Sequence, residues 1–101
     1  MQKFSKSKQA EITLDELFKT YIKKCIIRNL SPKTIKRYEE DYHIFERFID
    51  GSTLTSQITS DTIDDFIIHL RNNTKIKDIT INSYLRSIRA FLYFGMNGGY
   101  I

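Results

Sequence analysis

Between its first residue and residue 94 this chain holds only two residues of the kind that punctuate compact folds, Pro32 and Gly51. The other three glycines, Gly95, Gly98 and Gly99, fall within the last seven positions. A β-sandwich or small barrel needs turn residues at regular intervals along its whole length, so scarcity of punctuation points to long helices. With 101 residues the chain is bounded to one domain. A composition of 41% hydrophobic and 28% charged residues is that of a foldable chain and argues against disorder. The single cysteine, Cys25, excludes an intrachain disulfide framework and any multi-cysteine zinc site. Uninterrupted apolar stretches are only a few residues long, too short for a membrane span. The first ten residues, MQKFSKSKQA, are basic and lack the apolar stretch of a signal peptide.

Apolar periodicity divides the rest into four helices. Thr13-Leu14-Asp15-Glu16 fits a capping box, with Ile12 and Leu17 at the staple positions. Leu14, Leu17, Phe18, Tyr21, Ile22 and Cys25 then form one stripe, and the helix is expected to run to about Arg28 and end near Asn29. Ser31-Pro32 is the strongest start signal in the chain, because Pro at the first helical position gives up no needed N–H. Ile35, Tyr38, Tyr42, Phe45 and Ile49 make the second stripe, stopped by Asp50-Gly51-Ser52. The third helix opens near Thr59-Ser60-Asp61 and faces the core with Ile63, Phe66, Ile67 and Leu70, while Asp61, Asp64 and Asp65 favour its positive end. Asp78 is the expected cap of the fourth, whose stripe is Ile81, Leu85, Ile88 and Leu92, flanked by Tyr84 and Phe91. Met96 to Gly99 ends it, and the final residues through Ile101 are expected to lead away from the helix.

Net charge is only +4, but its distribution is uneven. Seven basic residues and no acid lie between Phe18 and Tyr38, and five basic residues against one acid, Asp78, lie from Arg71 onward. The acids collect in Glu39-Glu40-Asp41 and in Asp61, Asp64 and Asp65. Such segregation gives one face a positive potential even where the total is small; the alternative is a set of ordinary solvated helix faces.

Catalysis is poorly supplied. His43 and His69 stand on different helices without neighbouring cysteines, and no Gly-rich phosphate loop, HExxH or GxSxG occurs. The Glu39-Glu40-Asp41 carboxylates are sequential on a helix and fan out. Cys25 falls on a core stripe and reads as a small buried hydrophobe. No catalytic residue, metal site or cofactor is therefore assigned.

Nucleic-acid contact is better supplied. At the start of the second helix Lys33, Thr34, Lys36 and Arg37 surround Ile35 and are expected to point outward, beside a helix N-terminus that attracts phosphate. On the fourth helix Thr80, Asn82, Ser83, Arg86 and Arg89 lie off the apolar stripe, and Asn82, Arg86 and Arg89 share one face. Arg reads guanine and Asn reads adenine bidentately, and Lys75 and Lys77 stand just ahead as backbone contacts. Tyr21, Tyr38, Tyr42 and Tyr84 fall on or beside core stripes; Tyr93 and Tyr100 alone stay open as surface aromatics.

Two stretches carry a resemblance. The first is Ser31-Pro32-Lys33-Thr34-Ile35 with Tyr38, Phe45 and Phe48, followed by Ile58-Thr59 into the acidic third helix. The second runs from Thr80-Ile81-Asn82-Ser83-Tyr84-Leu85-Arg86 through Phe91, then Tyr93 and Gly98-Gly99-Tyr100-Ile101. In order and spacing they resemble the N-terminal core-binding domain, a SAM-like helical domain, of phage integrases and other tyrosine recombinases. The resemblance implies an all-α, four-helix SAM-like bundle over residues 12–101, preceded by a polar tail over residues 1–11. It implies double-stranded DNA as the partner, held across the major groove by the second and fourth helices. It also implies a clamp completed by the parent protein's own C-terminal catalytic domain, other recombinase protomers on the same DNA, and a cytoplasmic location in a bacterial or phage-infected cell. The family's catalytic His-x-x-Arg is not matched, since arginine follows His69 one position too soon, as Arg71. This chain is thus expected to do no chemistry itself. Two other readings stay open from the residues: a stand-alone helical DNA-binding regulator, and a helical protein-interaction module without DNA affinity.

Overall fold

The computed structural model describes residues 12–73 and 75–101; the expected polar tail at residues 1–11 lies outside the described residues. Its elements are α1 (Leu14–Ile27), α2 (Pro32–Phe48), a 3-10 turn (Thr55–Gln57), α3 (Ser60–Asn72) and α4 (Asp78–Asn97). Among the described residues the fold is all-α with four α-helices, as expected, and the only extended pairing is an isolated bridge between Thr13 and Leu54.

Local chemistry sets the helix ends. Thr13 and Glu16 form the reciprocal box: the Thr13 N–H donates to Glu16 Oε1 at 2.8 Å and the Glu16 N–H to Thr13 Oγ1 at 3.2 Å. Ser31 caps α2 by accepting the Thr34 N–H at 3.1 Å, with Pro32 at the first helical position. At the end of α1, Asn29 adopts the left-handed conformation (φ 62°), and the Leu30 N–H reaches back to the Cys25 carbonyl at 3.1 Å. This is a Schellman closure, and asparagine is the residue other than glycine best suited to it.

Two boundaries differ from the sequence expectation. Asp78 is the first residue of α4 and not its cap. Lys77 takes the extended cap conformation, and the Asp78 carboxylate instead accepts from Arg71 Nη1 at 2.9 Å. The chain after α3 turns through an Ile76 N–H to Asn73 carbonyl bond, which brings Arg71 back towards the start of α4. The C-terminal residues also do not lead away. Gly99 is left-handed (φ 81°), and the Tyr100 N–H donates to the Gly95 carbonyl at 2.9 Å. Ile101 folds back over Gly95, where a β-carbon would approach Ile101 Cδ1 and Leu17 Cδ2 within 2.8 Å.

The core is continuous through all four helices. Leu14, Leu17, Phe45, Phe66, Ile81, Ile88 and Phe91 are buried, and Phe91, expected as a flank, belongs to its centre. Phe18 stacks on Tyr42 (centroids 3.9 Å apart), with Phe91 edge-on to both, joining α1, α2 and α4. Phe66 of α3 meets Phe45 edge-on at 4.9 Å.

Helix directions follow from these contacts. Asp15 meets Tyr42 and Tyr21 meets Tyr38, so α1 runs antiparallel to α2. Arg37 meets Ser83 and Asp41 meets Ser87, the same separation of 46 positions each time, so α2 and α4 run parallel and in register.

Burial at these positions fixes the expected stability response. Phe45→Ala should cost about 3–5 kcal/mol by thermal or denaturant unfolding, because it empties a fully enclosed ring site. Arg47→Ala, on the exposed face, should stay within about 0.5 kcal/mol. A Phe45→Ala melting curve close to the parent's would contradict the packing of α2.

Candidate nucleic-acid interface

Because α2 and α4 are parallel, their N-termini emerge at the same end of the bundle. One turn back from the Arg37–Ser83 contact, the register sets Lys33 level with Ile79. The two basic clusters, distant in sequence, therefore occupy one region. Lys75 and Lys77, in the segment entering α4, are exposed at that end. Both helix dipoles point their positive ends in the same direction, which reinforces attraction for an anion.

The individual residues differ in freedom. Lys33 and Lys36 are exposed, and neither has an ion-pair partner among the described residues. Thr34 is half-buried; its N–H is held by Ser31 Oγ and its hydroxyl lies 3.0 Å from that same oxygen, so it belongs to the helix cap. Thr80 is half-buried in the first turn of α4. Asn82, Arg86 and Arg89 are exposed and line one open groove along α4 with Ala90 and Tyr93. Arg89 also borders a second groove that includes Asp64 of α3, so it marks the edge where the basic face meets the acidic one.

Arg37 and Ser83 are tied into a network that the sequence did not reveal. Arg37 Nε donates to Asp41 Oδ2 at 3.1 Å, and Arg37 Nη2 donates to Ser83 Oγ across the helix interface. The same Asp41 oxygen accepts from Ser87 Oγ at 2.6 Å. Asp41 is 3% exposed, whereas its sequence neighbours Glu39 and Glu40 are exposed. The acidic run does fan out, but one of its three members turns into the α2–α4 interface. The signal that could have found it is the spacing of four in both Arg37/Asp41 and Ser83/Ser87. Tyr93, left open from the sequence, is 58% exposed at the far end of the α4 groove, while Tyr100 is partly buried against the core.

Other reactive groups lie in settings that suit packing. Burial pushes the Cys25 thiol pKa up, away from the thiolate a nucleophile requires. Tyr42 is held protonated by burial and by its hydrogen bond to Asp15. Among the described residues no group of three or more His, Cys, Asp or Glu side chains is arranged to hold a metal, and no helix is long and apolar enough to cross a membrane.

A helical bundle with these motifs in this order defines a class: the family model described as the phage integrase SAM-like domain matches residues 13–101. The chain belongs to that family. No curated protein and no solved structure matches it.

The network makes a stability contrast. Ser87→Ala removes a donor from a buried carboxylate and should cost about 1–3 kcal/mol. Glu40→Ala, one position from Asp41 but exposed, should stay within about 0.5 kcal/mol. Equal melting temperatures for the two variants would contradict a buried Asp41.

Proposed function

We propose that this chain is the DNA-binding, core-binding domain of a site-specific tyrosine recombinase, gripping duplex DNA at a recombination site during integration of a mobile element. The observation that carries the reading is the parallel register of α2 and α4, which sets two acid-poor clusters distant in sequence side by side. Membership of the phage integrase SAM-like family supports it. In this reading α2 and α4 cross the major groove. Lys33, Lys36, Lys75 and Lys77 are hydrated point charges suited to phosphates. Asn82, Arg86 and Arg89 carry planar groups suited to base edges. The chain itself performs no strand cleavage, which belongs to a catalytic domain of the parent protein. That domain and neighbouring protomers complete the clamp, and the work is done in the cytoplasm.

The test is a binding titration at two salt concentrations on a duplex selected from a random pool and on a scrambled control. Lys33→Ala and Lys36→Ala should weaken both duplexes alike and lower the salt slope by about one unit per lost contact. Asn82→Ala should cost about 1–3 kcal/mol on the selected duplex and less on the scrambled one. Charge cannot produce that contrast, because Asn82 is neutral. Equal losses would remove Asn82 from base reading, and salt-independent or absent binding would favour a protein-interaction module. With nicked substrates, denaturing gels should show no covalent protein–DNA adduct; a tyrosine-linked adduct would overturn the division of labour.

A further inference from the structure

An arginine on a DNA-facing surface usually reaches phosphate as a flexible arm. Arg37 is held differently. Its side chain is 53% exposed, yet Nε is fixed to Asp41 and Nη2 to Ser83, so the side edge of the guanidinium is fully engaged. What stays open is the end edge, formed by Nη1 and the outward N–H of Nη2, which has the spacing of a bidentate phosphate or carboxylate contact. Ser83 accepts from Arg37, so its own O–H remains a donor. Behind both stands Asp41, 3% exposed and bonded through one oxygen to Arg37 and to Ser87.

We propose that Arg37 and Ser83 form one preorganised phosphate clamp bridging α2 and α4, and that buried Asp41, seated by Ser87, is its positioning residue. This rests on the DNA-binding reading above and adds a role to an acid that charge counting would place against DNA. The clamp joins the two helices, so one phosphate contacts both at once and fixes their joint orientation on the backbone. It carries no sequence preference, since its ligand is a phosphate diester.

The sign of one substitution separates positioning from simple charge. Removing an acid from a DNA-binding surface raises affinity if only net charge matters. If Asp41 acts through Arg37, Asp41→Asn lowers affinity instead, although the protein loses a negative charge. The probe is a fluorescein-labelled duplex of mixed sequence, titrated with the full chain well below each variant's melting temperature. Arg37→Ala should weaken binding about tenfold and lower the salt slope by about one unit. Asp41→Asn and Ser83→Ala should each weaken binding severalfold, and in the Arg37→Ala background Asp41→Asn should no longer weaken it. Asp41→Asn preserves volume and so keeps the test usable where Asp41→Ala does not fold. Tighter binding by Asp41→Asn, or the same loss with and without Arg37, would overturn the clamp while leaving DNA binding intact. A parent chain that does not bind the duplex at all would overturn the DNA-binding reading itself.

Discussion

A carboxylate withdrawn from water must be surrounded by donors or it destabilises the fold by several kcal/mol, roughly 3–5 when a partner is lost. Asp41 is such a group, and its donors come from two helices: Arg37 one turn earlier on α2, and Ser87 on α4. The bond to Ser87 and the contact of Arg37 with Ser83 fix not only that α2 and α4 touch but in which direction and register. An apolar interface tolerates a slip or a rotation at modest cost; a carboxylate seated on a single serine hydroxyl does not. Everything proposed for the surface follows from that register. It brings Lys33 and Lys36 beside the start of α4 and leaves Asn82, Arg86 and Arg89 along the outer face of the same helix pair.

Around this polar seam the aromatic side chains supply the packing. Phe18, Tyr42 and Phe91 meet at the junction of α1, α2 and α4, and Phe45 with Phe66 attaches α3. α1 contributes Leu14, Leu17, Tyr21 and Cys25 to the core, and none of the proposed contact residues lies on it. Its basic residues Lys23, Lys24 and Arg28 are exposed near its C-terminus, where positive charge complements the helix dipole. The acids Asp61, Asp64 and Asp65 are exposed on α3. The acids of α3 thus lie on a different helix from the basic residues that open α2, and one acid of α2, Asp41, is removed from the surface altogether.

Much of the architecture was legible because it is local. The capping box at Thr13, the Ser31-Pro32 start and the Asn29 stop depend on a few adjacent residues, and each stands where the sequence indicated. What was not legible depends on tertiary partners. Asp78 fits a cap by residue type, but Arg71 recruits it, so the extended cap position falls to Lys77. Gly98-Gly99 correctly marks a helix end, yet the path beyond it is decided by the space Gly95 leaves for Ile101. At the candidate site, outward-facing positions were readable from the apolar stripes, whereas the engagement of Thr34 in the cap and of Arg37 and Ser83 in the network was not. Asp41 is the sharpest case. Its spacing from Arg37 was visible, but its inward direction depends on a serine 46 positions away.

In the proposed function the N-terminal halves of α2 and α4 act together as one DNA surface. It is tested most directly by amide chemical-shift mapping of the labelled chain titrated with duplex DNA. Saturable shifts are expected at Lys33, Lys36, Arg37, Asn82, Ser83 and Arg86 that grow in concert, with the α3 amides around Asp61 to Asp65 unmoved. Shifts confined to one of the two helices, or centred on the basic end of α1 at Lys23, Lys24 and Arg28, would contradict it.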